Sequence, residues 1–458
     1  MKNRILLLMM ASGLIATAQL DKSSCPANLS IFAEFAKVKN YDSAYQPWLE
    51  VRNNCPELNV ATFKYGERIL NHKIKNATHD KAALQASLMS LYDDWLTYFP
   101  NSKSGASEVG KILSSKAQAM VDNKLGTKRE AYEIFDQAFT QDPKSFTSPK
   151  HLYTYFKTAY QLYKQGDKTA EVLFDKYEEV SEKFALEQTN LAKKLDVILK
   201  KLETGEALTS REQRNKRVYE TNKFAFSTYA GNLDAMISKE SSCENLIPLY
   251  RKNFEANISN SVWLNRAASR MDAKECADDP LFVELVEALH AINPSANSAY
   301  YLGILKDKAG ESKAALAYYE ESLTLEQDQY RKADILYKIA VKFKKRNLKS
   351  KSRSYARKAL KNRPSMGKAY MLIASLYAAS ANDCGNTQFE KRAVYWLAAK
   401  TARKAATVDS GVKKTALKLA ASYEGRAPSK TDIFTEGRAG ETISFSCWIN
   451  SSVTVPQL

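Results

Sequence analysis

Residues 296–329 read ANSAYYLGILKDKAGESKAALAYYEESLTLEQDQ. Counted from Ala296, the pair Leu302-Gly303 falls at positions 7 and 8, Ala315 at 20, Tyr319 at 24 and Ser322-Leu323 at 27 and 28. Gly310 marks a break between two helical stretches. Small side chains at 8, 20 and 27 let two antiparallel helices approach closely, and the aromatic at 24 fills the gap to the next hairpin. The segment therefore predicts one helical hairpin built to stack on another.

The same spacing recurs on both sides. Ile373-Ala374 follows Ile339-Ala340 by 34 residues, Ala359-Leu360 and Pro364 take positions 27, 28 and 32, and Tyr377 takes position 11. Toward the N-terminus, Ala44, Trp48, Val51 and Pro56 occupy positions 20, 24, 27 and 32. Ala131, Phe135, Ala138 and Pro143 repeat that spacing with Ala119 at position 8, and Ala170, Phe174 and Tyr177 form a looser copy. Proline at 32 ends the second helix because it lacks an amide donor. The pattern resembles the tetratricopeptide repeat (TPR), and that resemblance implies an all-α solenoid of stacked hairpins.

Two stretches depart from the rhythm. Leu186, Leu191, Leu195, Ile198 and Leu202 make one apolar stripe, and Val218, Asn222, Phe226, Tyr229, Leu233 and Ile237 a second. Gly205 separates them, and Ser210 with Gln213 is the expected capping box of the second. A long helical hairpin between two arrays is expected, with a repeat of stretched helices as the alternative. After about Gly425 the period changes from 3.6 to 2, with Thr442, Ser444 and Ser446 alternating with Ile443, Phe445 and Cys447. Trp448-Ile449, a polar turn at Asn450-Ser451-Ser452 and Val453-Thr454-Val455 complete an expected β-hairpin. Two strands alone are marginal in water, so the tail must pack on the last helices. The expected organisation is 1–18 signal peptide, 19–185 N-terminal array, 186–240 connector, 241–425 C-terminal array and 426–458 tail.

The segment Cys384-Gly385, Phe389-Glu390, Ala393-Val394-Tyr395-Trp396, followed by Cys447-Trp448-Ile449, resembles exported TPR proteins of the Bacteroidetes kind. The resemblance covers most of the chain after the leader. It implies a periplasmic or secreted scaffold and implies no reaction.

Composition agrees with helices. Only 16 Gly and 12 Pro in 458 residues leave few tight turns, which argues against an all-β sandwich and most Gly-looped α/β enzymes. Lys2 and Arg4, an apolar run over 5–16 and Ala16-Thr17-Ala18 make a cleavable export signal with a mature start near Gln19. That run is shorter than the ~20 residues that span a bilayer. Lys22-Ser23-Ser24 before Cys25 is too polar for lipidation. Six cysteines in an exported chain predict three disulfides. Six allow 15 connectivities, and the positions favour Cys25–Cys55, Cys243–Cys276 and Cys384–Cys447, the first two spanning about one hairpin each.

Nothing in the sequence assembles a catalytic group. Gly105 to Gly110-Lys111-Ile112 approaches a phosphate-binding loop, but Ile112 stands where the Mg²⁺-binding hydroxyl is needed. His72, His79, His151 and His290 are scattered without ligand spacing. The acidic pairs Asp93-Asp94 and Glu178-Glu179 read as solvated faces, and Trp48 and Trp95 as packing residues. No metal or cofactor is expected, and the chain is expected not to be an enzyme.

Charge is more telling. Residues 331–430 carry 25 Lys/Arg and 5 Asp/Glu, a local +20 out of a total of +17, so the remainder sums to −3. Lys349, Lys351, Arg353, Arg357, Lys358 and Lys361 fall on a second helix and make a basic outer face that could meet an anionic surface. The first-helix positions that line a repeat groove hold Asn297, Tyr300, Ile304, Asp334, Tyr337, Val341, Lys344, Lys345, Lys368, Met371 and Ser375. A Lys/Asn clamp for C-terminal carboxylates is absent, its positions holding Tyr300, Ile304, Tyr337 and Val341. The expectation is a non-enzymatic exported scaffold whose groove binds a protein or peptide, with no nucleic acid and no transmembrane segment. The alternative is a glycan-binding component of an outer-membrane uptake system.

Overall fold

A computed structural model describes residues 22–458. The expected signal peptide and its cleavage site lie outside the described residues. The chain forms two compact units, one ending at His151 and one comprising Leu152–Leu458.

Among the described residues the first unit holds three helical hairpins: α1 (Cys25–Lys37) with α2 (Tyr41–Asn54), α3 (Ala61–Asn76) with α4 (Lys81–Tyr98), and α5 (Val109–Asn123) with α6 (Lys128–Gln141). The repeat positions explain the packing. Trp48 is fully buried, and its indole N–H donates to the Thr62 carbonyl at 2.7 Å. The indole lies against Gly66, where a Cβ would stand 2.6 Å from the ring nitrogen. Phe63 stacks on Trp95 at 6.1 Å between centroids, joining the hairpins in one core. Thr127 and Glu130 form a reciprocal cap on α6. Cys25–Cys55 staples the two ends of the first hairpin.

The boundary falls in the first turn of α7 (Pro149–Lys164), and the second unit continues with α8 (Ala170–Glu203) and α9 (Ser210–Ile237). Then come α10 (Cys243–Asn257), α11 (Ser261–Ala273), α12 (Pro280–Ile292), α13 (Ala296–Lys308) and α14 (Ser312–Leu325). The repeats continue with α15 (Gln329–Lys345), α16 (Lys349–Asn362), α17 (Gly367–Ala378), α18 (Gln388–Val408), α19 (Lys413–Glu424) and α20 (Lys430–Glu436). Helices α11/α12, α13/α14, α15/α16 and α17/α18 pair as hairpins. Gly303 faces Tyr319, where a Cβ would meet the ring at 2.5 Å, so the small residue at position 8 admits the aromatic at 24. The architecture is an all-α, TPR-type helical repeat with one small β-hairpin.

Helix α8 departs from the expected boundary at 185/186. It runs 34 residues without a break, about 51 Å at 1.5 Å per residue. Phe174 and Tyr177 of the looser repeat copy and Leu191, Leu195 and Ile198 of the stripe are buried along one continuous helix, while Leu186 and Leu202 of that stripe are exposed. The cap of α9 is Thr209 with Glu212 rather than Ser210 with Gln213, because Thr209 is the residue that accepts from the third helical amide.

The α8/α9 hairpin is a strut laid against the repeats. Glu182 holds Arg266 at 2.9 and 2.8 Å, and Glu178 accepts from Arg270 at 2.9 Å. Lys193 pairs with Asp328 at 2.8 Å. Asp196 accepts the Tyr330 hydroxyl at 2.7 Å and the Ser365 amide at 3.0 Å, so one carboxylate joins the N-terminal ends of α15 and α17. From α9, the Lys223 ammonium reaches Asp409 at 3.1 Å and the Ser365 carbonyl at 3.3 Å.

The tail pairs β1 (Thr442–Phe445) with β2 (Ser451–Thr454), Ile443 opposite Val453. Ser451 and Ser452, expected in the turn, belong to β2, while Trp448 and Ile449 lie in the turn instead of a strand. The apolar faces of Ile443, Phe445, Ile449, Val453 and Val455 are buried. Cys384–Cys447 anchors the turn, and the Arg353 guanidinium donates to the carbonyls of Trp448, at 2.8 Å, and of Ile449. The third disulfide, Cys243–Cys276, ties the start of α10 to the α11–α12 loop. All three follow the pairing that the spacing predicts.

Candidate functional site

The phosphate-loop resemblance resolves into a cap. Asp142 receives Ser107 at 2.7 Å, the Gly110 amide at 3.2 Å and the Ser145 hydroxyl, so a carboxylate of the chain itself occupies the N-terminus of α5. Burial opposes ionisation there, yet the hydrogen bonds from Ser145, Ser107 and Gly110 together hold Asp142 below the usual carboxylate range. His72 pairs with Asp42 at 3.2 Å and His290 with the Ser298 hydroxyl at 3.0 Å. Glu178, expected on a solvated face, is instead largely buried against Arg270, whose guanidinium also covers the Tyr177 ring at 3.8 Å. Among the described residues no cluster of three or more His, Cys, Asp or Glu is arranged to hold a metal ion.

The expected groove residues divide. Tyr300 and Ile304 are 1% and 2% exposed, so at the expected groove they act as packing residues. The Tyr300 ring lies between Tyr301 and Tyr319, with the Lys338 ammonium 5.4 Å from its centroid. Asn297 is half-buried and donates to Asn265 at 3.0 Å. Met371 packs toward Ala405, Ala406 and Ala416. The rest do assemble on α15 and α17. Asp334 pairs with Lys368 at 2.9 Å, the same ammonium lies 4.6 Å from the Tyr337 ring, and Lys344 donates to Ser375 at 2.9 Å.

The basic outer helix α16 also divides. Lys349 pairs with Asp383 at 2.9 Å, Arg353 clamps the tail, and Arg357 donates to the Tyr377 hydroxyl at 3.3 Å. These three cations hold the chain to itself. Lys351, Lys358 and Lys361 remain exposed without a carboxylate partner among the described residues. Lys358 and Lys361 border a cleft of about 530 Å³ floored by Leu323 and Leu336.

Sequence reasoning missed a second cleft, of about 240 Å³, where the C-terminal ends of α11, α13 and α15 meet Tyr319 of α14. Ion pairs rim it: Lys342–Asp272 at 2.6 Å, Lys345–Glu275, Lys308–Asp278 and Arg346–Asp307. A signal was present, since Lys308 and Lys342 lie 34 residues apart and recur at the end of successive first helices. Reading it needed the acidic partners, which come from a different hairpin.

No family model and no curated protein matches this chain. Among solved structures, a tetratricopeptide repeat protein from Parabacteroides merdae is 12% identical, covering 68% of this chain and 97% of its own, with a TM-score of 0.24. Human IFIT1, solved as a dimer with PPP-AAAA, is 15% identical over 89% of this chain and 94% of its own, with a TM-score of 0.25. Yeast Tom70 is 12% identical over 90% of this chain and 82% of its own, also with a TM-score of 0.25. Values this low carry no functional inference.

Proposed function

We propose that this chain is an exported, non-enzymatic scaffold that binds a protein or peptide across the first helices of its C-terminal repeats. In this reading 19–185 and 241–425 are the two arrays, and 186–240 belongs to a connecting hairpin whose first helix already begins at Ala170. One observation carries the binding site: Tyr337, Asp334, Lys344 and Lys368 reach solvent on adjacent first helices, presenting an aromatic face beside both charge signs. Half-buried aromatics with a polar rim are what protein contacts use. Three disulfides support an oxidising compartment. Among the described residues no helix is long and apolar enough to cross a membrane.

The test is crosslinked capture of the partner from the native envelope with two variants. Tyr337→Ala with Lys368→Ala should weaken capture about tenfold, the loss of one interface anchor. Lys351→Glu with Lys358→Glu and Lys361→Glu should change it little, as should salt raised from about 0.05 to 0.5 M. If the first variant is silent and the second abolishes capture, the outer face is the site and the proposal fails.

A further inference from the structure

The small cleft at the ends of α11, α13 and α15 has a buried tyrosine in its lining. Tyr319 is 1% exposed, seated over Gly303 and flanked by the rings of Tyr300 and Phe343 at 6.0 and 6.5 Å. Its hydroxyl has no hydrogen-bond partner among the described residues. Burial, with the carboxylates of Asp307 and Asp272 nearby, pushes the phenol well above its ordinary range, so it stays protonated and acts as a donor. A buried donor without an acceptor is uncommon in folded proteins. The charges it senses, Asp307, Asp272 and Arg346, all line the cleft.

The rim narrows the ligand class. Its four ion pairs sum to zero, so the cleft has no net field to draw in a polyanion or a polycation. A ligand of one sign that entered here would separate one pair and leave its displaced member uncompensated. A ligand carrying both signs can replace both members of a pair, for example Arg346–Asp307, without stranding either. The phenol asks in addition for a neutral acceptor oxygen. An opening of about 240 Å³ is also several times the ~30 Å³ share of one water.

We propose that this cleft binds an extended peptide segment in which an acidic and a basic side chain flank a main-chain carbonyl that accepts the Tyr319 hydroxyl. The proposal deepens the scaffold reading above and rests on it. It also moves the point of contact to the C-terminal ends of the first helices, away from the Tyr337 row.

The full chain is titrated calorimetrically with the blocked peptide Ac-Gly-Lys-Gly-Glu-Gly-NH2 and with all-Lys, all-Glu and all-Gly counterparts. The mixed peptide should bind at least tenfold more tightly than the other three. Tyr319→Phe, which removes only a hydroxyl that bonds to nothing, should leave thermal unfolding in place and weaken the mixed peptide about tenfold, the value of one hydrogen bond. Equal binding of the all-Glu peptide would make this a simple anion site and overturn the proposal, as would indifference to Tyr319→Phe. If partner capture depends on Tyr337 while no peptide binds the cleft, this inference falls and the scaffold reading stands. If neither holds, both fall.

Discussion

Breaking the Lys223–Asp409 pair should reveal how firmly the α8/α9 strut holds the last repeats, and the two halves of the pair should not cost the same. Both side chains are largely buried, at 4% and 11% exposure, with their charged atoms 3.1 Å apart. At an effective dielectric of about 20 their attraction is on the order of 5 kcal/mol before desolvation is charged against it. The partners left behind differ. Without Lys223, Asp409 still accepts the Gly367 amide at 3.1 Å and the Gly411 amide at 3.0 Å. Without Asp409, the ammonium keeps the Ser365 carbonyl at 3.3 Å. Lys223→Met should therefore cost about 1–2 kcal/mol, since a chain of similar volume fills the site and the carboxylate stays hydrogen-bonded. Asp409→Ala should cost about 3–5 kcal/mol, because it strands a buried charge. Combined with Lys223→Met, Asp409→Ala should become less damaging than alone, a coupling that a double-mutant cycle reads directly. The pH dependence has a definite sign. Burial already lowers the Lys223 pKa despite the pull of Asp409. Removing the carboxylate lowers it further, so the unfolded chain binds the extra proton between the depressed folded value and about 10.4. The stability of Asp409→Ala should accordingly rise with pH across that window. Urea unfolding, together with hydrogen exchange at the Ser365 and Gly367 amides, measures all of this. Equal single costs, or strict additivity in the double variant, would refute the argument.

Two further outcomes are expected. Cys384→Ser with Cys447→Ser opens a 63-residue loop, worth about 4 kcal/mol in the loop-entropy model; Arg353 should then hold the turn together with the Trp448–Ser380 bond and the buried apolar face, so Arg353→Ala in that background should loosen β1 and β2, seen as reduced exchange protection at Ile443 and Val453 with the helices intact. Burial lowers His151 to about 4, so the unfolded state binds the extra proton between pH ~6.5 and ~4; the first unit should lose roughly 3 kcal/mol as pH falls through that range, and His151→Gln should flatten the profile.

The hairpins were legible because the 34-residue spacing encodes local contacts. Leu302-Gly303 and Tyr319 meet within one hairpin, and Trp48 in the first unit reaches only to Thr62 and Gly66 of the next. The cysteine pairs were legible for the same reason, Cys25–Cys55 spanning a single hairpin and Cys243–Cys276 the neighbouring helices α10 and α11. Periodicity names the side of a helix that turns inward, but not the neighbour that covers it. Tyr300 and Ile304 sit at groove positions and are nonetheless buried, since Tyr319 from α14 and Lys338 from α15 close over that stretch. The strut was hidden for a related reason. Asp196 carries no motif, and its partners Tyr330 and Ser365 stand 134 and 169 residues away. Composition likewise counted Arg353 toward a solvent-facing charge, when it is half-buried and donates to carbonyls of the tail.

Repeat arrays commonly lengthen or shorten by whole hairpins, because each repeat touches only its neighbours. Here α8 removes that freedom. Its side chains meet α11 at Glu178 and Glu182, α15 at Lys193, α15 and α17 together at Asp196, and α18 at Glu203, in the order of the repeats. Packed helices stand ~8–10 Å apart, so a duplicated or deleted hairpin between α11 and α18 would shift every later partner out of reach of its residue on α8. The strut works as a ruler: the number of repeats in this unit can change only if one helix changes length at the same time.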